Sequence, residues 1–138
     1  MYLNYLIYKQ MIISKTLIIF LSGVVVGLVA EFLFRMFWSK KISKLSPASL
    51  WMYGFTAVFL YFINILNIHL VFKFLLTIVF TTSIEFITGW YLLCFKHKRL
   101  WNYSKHKWNY KGIICPLFSF FWLLVAIFYY YLIFPLFV

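Results

Sequence analysis

Residues 112–138 read GIICPLFSFFWLLVAIFYYYLIFPLFV and contain no charged side chain. A helix needs about 20 apolar residues to cross a hydrocarbon core of about 30 Å, and this stretch exceeds that length. In lipid the backbone polar groups must bond within the protein, because no water is present to satisfy them. The stretch therefore predicts a membrane-spanning helix at the end of the chain.

Three further apolar stretches precede it, at about residues 17–37, 49–68 and 74–95. The chain of 138 residues is 66% hydrophobic and only 11% charged, too little to give a soluble domain its polar surface. Four segments are too few to close a β-barrel, so each span is expected to be a helix. The sequence predicts an all-α integral membrane protein, a four-helix transmembrane bundle that forms one polytopic domain over residues 1–138.

The N-terminal segment before the first span mixes Leu6 and Ile7 with several tyrosines and with Lys9 and Lys15. Such a mixture is typical of a short amphipathic helix that lies in the membrane interface. It is equally compatible with a helical extension of the first span. The sequence leaves both alternatives open.

The cations lie mainly in two of the loops. The first loop, residues 38–48, holds Lys40, Lys41 and Lys44, and the third loop, residues 96–111, holds Lys96, Lys98, Arg99, Lys105, Lys107 and Lys111. Short loops rich in Lys and Arg stay on the cytoplasmic side of a membrane. We therefore expect a multi-pass protein of the cell membrane, with both of these loops in the cytoplasm and both termini outside.

The net charge of +11 indicates that the chain binds an anionic partner. In a soluble protein this balance would favour nucleic acid. Here the cations lie beside the spans, where they meet the anionic headgroups of membrane lipids at the cytoplasmic face. We expect membrane lipids as partners and no nucleic acid, because too little of the chain lies outside the spans to bind it.

Only two acidic residues occur, Glu31 and Glu85, and both fall inside spans. A carboxylate in a span is costly, and it usually faces the bundle interior, a partner or a water-filled path. Each glutamate belongs to a stripe with a four-residue repeat, which puts its members on one helix face. The stripes are Gly23, Gly27, Glu31 and Arg35 in the first span, and Thr77, Thr81, Glu85 and Gly89 in the third, with Thr88 beside them.

The stripes allow several roles. Glycines at this spacing permit close helix packing, for which Gly23, Gly27 and Gly89 are the candidates. Glu31 and Arg35 can form an ion pair one turn apart, which lowers the cost of burying both. The simplest packing turns the two stripes toward each other. Glu31, Arg35, Glu85, Thr81 and Thr88 then form either a static polar seam, a substrate or ion path, or a site with a catalytic carboxylate.

The third loop alternates aromatic residues with cations, as KHKRLWNYSKHKWNYKG over residues 96–112. This composition suits the headgroup layer, where Trp and Tyr anchor and Lys and Arg meet phosphates. Its two histidines, His97 and His106, lack a metal-ligand spacing, and Cys94 and Cys115 form no Cys-x-x-Cys motif. We expect no metal site, no cofactor and no recognisable catalytic relay.

Three motifs carry a family resemblance: Glu85-Phe86-Ile87-Thr88-Gly89-Trp90, Trp101-Asn102-Tyr103-Ser104, and Asn109-Tyr110-x-Gly112-Ile113-Ile114. Together they resemble the signature of the CmpB-type putative ABC-transporter type IV membrane proteins, which have eukaryotic relatives among small multi-span proteins. Gly27-x-x-x-Glu31 and Ser49-Leu50-Trp51-Met52 with Tyr53-Gly54 resemble its first-helix and second-helix elements. The resemblance covers about residues 20 to 125. In the loop, Asn102 stands where the family has Asp, so any cation-binding or basic role of that Asp would not carry over to this chain, while Asn102 can still cap a turn.

The resemblance implies a permease-like subunit. No Gly-x-x-x-x-Gly-Lys-Ser/Thr phosphate loop occurs in the sequence, so ATP-driven transport would need a separate ATPase subunit. A homo-oligomer is the other way to complete a pathway from one four-helix domain. Two alternatives stay open: a non-transporting membrane scaffold or accessory protein, and an intramembrane enzyme that acts on a lipid-linked substrate.

Overall fold

The computed structural model describes residues 2–39 and 46–137. Its helices are α1 (Tyr2–Phe34), α2 (Pro47–Ile65), α3 (Leu70–Lys96) and α4 (Pro116–Phe128). A π-helical turn, Arg35–Ser39, continues α1, and α4 continues through a π-helical turn, Tyr129–Ile133, and a 3-10 turn, Phe134–Phe137. α1, α2, α3 and α4 with its continuation to Phe137 are each long and apolar enough to cross a membrane. The predicted all-α membrane bundle is confirmed, while Lys40, Lys41 and Lys44 of the first loop lie outside the described residues.

Local residues explain where the helices begin and end. Ser46 caps α2 by accepting a hydrogen bond from the Ala48 N–H, and Pro47 occupies the first turn, where its missing N–H costs nothing. His69 caps α3 in the same way through the Val71 N–H. At the other end of α3, His97 takes a left-handed conformation, φ 51°, that stops the helix.

The structure decides between the two alternatives at the start of α1, and it differs from the sequence expectation at the start of α4. α1 is unbroken from Tyr2, so the N-terminal segment extends the first span and is not a separate interfacial helix. α4 begins at Pro116 and not near Gly112. Gly112 lies at φ 70°, and Tyr110 pairs with Ile114 in an isolated β-bridge, so this segment belongs to the third loop. In the structure the third loop therefore covers residues 97–115.

The helices pack in chain order, α1 along α2, α2 along α3, and α3 along α4. Residues of both stripes nevertheless border one interior cavity, with Gly23 and Gly27 of α1 and Thr81 and Glu85 of α3 in its wall. A Cβ at Gly27 would meet the Tyr53 ring, and one at Gly23 would meet Ala57 and the Tyr53 carbonyl oxygen, so these glycines seat α1 against α2. α1 and α3 therefore contribute to one polar site although each packs mainly along other helices.

The two ends of the bundle differ in character. At the end near the termini, an apolar core is formed by Ile19, Ala57, Leu60, Ile63, Ala126, Tyr129, Tyr130 and Phe134. Its polar exception is a 2.7 Å hydrogen bond between the hydroxyls of Thr77 and Tyr130. At the other end, where the third loop connects α3 to α4, the helices carry both glutamates. That end holds the candidate site.

Candidate functional site

The third loop is held in a defined shape by hydrogen bonds between its two ends. The Trp101 indole N–H donates to the Ile113 carbonyl at 2.7 Å, and the Tyr103 N–H donates to the Gly112 carbonyl at 2.9 Å. Gly89 of α3 lies under this loop, since a Cβ there would meet Ile113 and Trp101. The loop thus rests on the end of α3.

Asparagines fix the turns of the loop. The Asn102 side-chain oxygen accepts a hydrogen bond from the Ser104 N–H at 3.0 Å, which is the turn-capping role expected of an Asn at this position. Asn109 donates to the carbonyls of Ser104 and His106 and accepts from the Gly112 N–H. A Cβ at Gly112 would crowd the Asn102 side chain, and its positive φ also favours glycine. The motif residues of the loop therefore build its fold.

Glu31 has partners on both carboxylate oxygens. Arg35, one turn further along the same helix, forms an ion pair with Oε1, including a 2.8 Å hydrogen bond from Nε. The Tyr53 hydroxyl of α2 donates to Oε2 at 2.7 Å. Arg35 also reaches the Leu100 carbonyl in the third loop at 3.5 Å. The ion pair expected from the four-residue spacing is present, and it touches both α2 and the loop.

Glu85 is more deeply buried, with 2% of its surface exposed. Its Oε1 accepts a 2.8 Å hydrogen bond from the Tyr103 hydroxyl of the third loop. Its Oε2 has no hydrogen-bond partner of ordinary geometry among the described residues, although the Trp122 indole of α4 lies close enough to influence the carboxylate. Among the described residues, Tyr103 thus gives Glu85 its one hydrogen bond of ordinary geometry.

Burial raises the pKa of the Tyr103 phenol, and the Glu85 carboxylate raises it further. The hydroxyl therefore keeps its proton at neutral pH and remains a hydrogen-bond donor to Glu85. The ring stacks on Phe118 of α4, with the two ring centroids 4.1 Å apart. Tyr103 consequently links the loop, α3 and α4 at one point.

Both glutamates line a single cavity of about 580 Å³ beneath the third loop. Its inner wall includes Tyr53 and Trp122 as well as the Glu31–Arg35 pair, while its rim includes the exposed side chains of Arg99, Asn102, Ser104 and Lys105. The cavity therefore extends from exposed loop residues to the buried carboxylate of Glu85. Its volume lies in the range usual for small-molecule sites.

A second, much smaller cavity of about 40 Å³ continues from Glu85 toward the apolar core, with Thr81, Gly23 and Gly27 in its wall. It is large enough for a water molecule. The Thr81 hydroxyl donates to the Thr77 carbonyl at 2.9 Å and does not bond Glu85. Thr88, on the same helix as Glu85, is half-buried.

The structure adds residues that the sequence did not single out for this site. Tyr53 and Trp122 lie on α2 and α4 and approach the glutamates only through the packing of different helices. The pairing of Tyr103 with Glu85 spans 18 residues and has no local pattern that would indicate it. The sequence indicated these partners only indirectly, because a buried carboxylate needs hydrogen-bond donors and tyrosine hydroxyls can supply them.

Within the described parts of the chain, no three His, Cys, Asp or Glu side chains come together in a group that could hold a metal ion. Cys94 is exposed and Cys115 is buried, and both are free thiols. The site therefore offers carboxylate oxygens, phenols, an indole and rim cations as its chemistry. These groups can bind and orient a polar or charged molecule.

Comparison with known proteins gives one match. The protein-family model described as "Putative ABC-transporter type IV" matches residues 18–138. That range includes both glutamates and the whole of the third loop. No curated protein and no solved structure matches the chain.

Proposed function

Because this chain belongs to the family described as Putative ABC-transporter type IV, we propose that it is a permease-like membrane subunit whose cavity receives the transported substrate. The observation that carries the proposal is that Glu31 and Glu85, the only acidic residues of the chain, line one cavity. A transporter concentrates its rare intramembrane charges at such a place.

The cost of the site supports a binding role over a purely structural one. An unpaired buried polar atom costs about 1–3 kcal/mol, and Oε2 of Glu85 is such an atom. A bundle that needed only stability would gain from an apolar residue at this position. A ligand that bonds Oε2 would offset this cost when it enters the cavity.

The third loop is the element through which a partner would act on the site. Tyr103 connects it to Glu85, and the Leu100 carbonyl connects it to Arg35. Any displacement of the loop changes both contacts together. On the outer side of the loop, Trp108 is 87% exposed at a φ of 59° and offers an aromatic contact to a partner.

The partner we propose is a separate ATPase subunit on the cytoplasmic side, which places the third loop in the cytoplasm and both termini outside. The six cations of residues 96–111 support this orientation, since Lys and Arg in short loops stay cytoplasmic. One four-helix domain does not enclose a complete pathway by itself. A second copy of the chain would therefore be expected in the same complex.

Purification from the native membrane tests the partner. The tagged chain, solubilised in mild detergent, is expected to bring an ATPase chain with it in stoichiometric amount, together with Mg²⁺-dependent ATP hydrolysis. Trp108→Ala should abolish this association. Trp51→Ala, which removes an exposed tryptophan of α2, is the matched control and should keep it. Recovery of the chain without an ATPase would contradict the proposal and favour a scaffold.

The carboxylates are tested in the assembled complex. Glu31→Gln and Glu85→Gln should leave the ATPase bound but uncouple ATP hydrolysis from substrate uptake in proteoliposomes. Ser83→Ala, at an exposed position of α3, should keep uptake unchanged. If both glutamine variants transported normally at normal protein levels, the cavity would have no role in transport.

A further inference from the structure

We infer that the cavity takes the headgroup of an aminophospholipid, and that one acyl chain of the same lipid lies in an apolar groove between α1 and α4. This inference rests on the proposed function and names its substrate class. Phosphatidylethanolamine is the occupant with the required chemistry: a phosphate, a primary ammonium group and hydrocarbon chains. Three features of the structure support it, namely the groove, its continuity with the cavity, and the placement of charge.

The groove has a volume of about 610 Å³ and apolar walls. One wall extends from Val26 of α1 to Phe37 of the π-helical turn that continues it, and the other wall extends along α4 from Leu117 to Phe128. At a rise of 1.5 Å per residue each wall is about 16 Å long, close to half of a hydrocarbon core of about 30 Å. The groove therefore matches the depth of one leaflet, the one on the side of the third loop.

The groove and the cavity share a wall. Ala30 and Phe34 of α1, and Phe118 and Phe121 of α4, line both of them. A chain that lies in the groove therefore brings its polar end to the cavity. A water-soluble substrate would have no use for a leaflet-deep hydrocarbon groove beside its site.

The charges follow the order of an aminophospholipid headgroup. At the exposed rim, Arg99 and Lys105 are cations suited to a phosphate. Further in, Glu85 presents an oxygen without a hydrogen-bond partner among the described residues, whereas both oxygens of Glu31 are already bonded. A primary ammonium group can donate a hydrogen bond to that oxygen. The trimethylammonium group of phosphatidylcholine cannot, and phosphatidylglycerol carries no cation.

Native mass spectrometry of the purified chain gives the test. The protein is exchanged into detergent that contains phosphatidylethanolamine, phosphatidylcholine and phosphatidylglycerol in equal amounts with identical acyl chains. We expect one phosphatidylethanolamine to be retained in preference to the other two. Glu85→Gln should weaken its retention about tenfold, as expected for the loss of one charge-assisted hydrogen bond.

Because Glu85 is buried, Glu85→Gln could reduce retention by disturbing the fold. Two pairs of variants at exposed positions test the lipid site without that risk. Val29→Trp fills the groove and should reduce retention, whereas Val79→Trp, on the exposed face of α3 outside the groove, should not. Lys105→Ala removes a rim cation and should reduce retention, whereas Lys107→Ala, on an exposed residue that does not line the cavity, should not.

Glycerophosphoethanolamine, the same headgroup without acyl chains, distinguishes a lipid from a free headgroup. It should fail to displace the bound lipid at equal concentration. Equal retention of all three lipids, preference for phosphatidylglycerol, or displacement by the soluble headgroup would each overturn the inference. Lipid retention is measured without ATP or transport, so loss of ATPase association with retention intact would refute the proposed function alone.

Discussion

The Tyr103 hydroxyl lies 2.8 Å from Oε1 of Glu85, and both side chains are buried. The tyrosine comes from a loop and the glutamate from a helix, so this bond fixes the loop over the cavity. Among the described residues, it is also the only hydrogen bond of ordinary geometry to this carboxylate. Its removal should therefore affect both the loop and the site.

Tyr103→Phe should destabilise the protein by about 1–3 kcal/mol, because it leaves a buried carboxylate without its donor. The free energy of unfolding in mixed micelles measures the effect. Tyr110→Phe is the matched control, since that ring is 52% exposed, and it should change stability little. Equal stability of Tyr103→Phe and the wild type would show that the bond does not hold the loop.

The raised pKa of Tyr103 predicts a dependence on alkaline pH. The unfolded phenol ionises near its ordinary value of 10.0, while the folded phenol stays protonated to higher pH. The stability that Tyr103 contributes is therefore fully present below pH 10.0 and is lost as the pH rises beyond it, by about 1.4 kcal/mol per pH unit for one proton. The measurement is the difference in unfolding free energy between the wild type and Tyr103→Phe. A difference that stays constant above that pH would contradict this sign.

Gly27→Ala should destabilise the bundle by about 1–3 kcal/mol, because the added methyl group meets the Tyr53 ring. Displacement of that ring should also weaken its hydrogen bond to Glu31. Val25→Ile adds one methylene on a face that is 60% exposed, and should be neutral. Thermal inactivation in detergent compares the two. Unchanged stability of Gly27→Ala would mean that α1 and α2 are not closely packed there.

The Glu31–Arg35 pair should behave as a coupled unit. Each side chain is 15% exposed, so Glu31→Gln or Arg35→Gln alone leaves a mostly buried charge without its partner. A double-mutant cycle should give a coupling energy of about 1–3 kcal/mol, with the double variant less destabilised than the sum of the single ones. Simple additivity would show that the two charges do not stabilise each other.

The sequence predicted what depends on local spacing. The four-residue repeat placed Arg35 one turn from Glu31, and the apolar stretches located all four spans. It did not predict Tyr53 as a partner of Glu31, because a stripe on one helix does not reveal which neighbour it meets. The helix expected near Gly112 starts later because the Trp101 indole bonds the Ile113 carbonyl, an interaction across the loop that hydrophobicity cannot report.

A cavity leads from the third loop to the buried carboxylates. Cysteine accessibility measures whether this cavity admits water-soluble reagents, in a background of Cys94→Ser and Cys115→Ala. Met52→Cys lines the cavity, and Ile63→Cys on the same helix lies in the apolar core. A small charged methanethiosulfonate, added from the side of the third loop, should label Met52→Cys several times faster than Ile63→Cys. Equal, slow labelling at both positions would show that the glutamates lie in a dry seam and contradict the account.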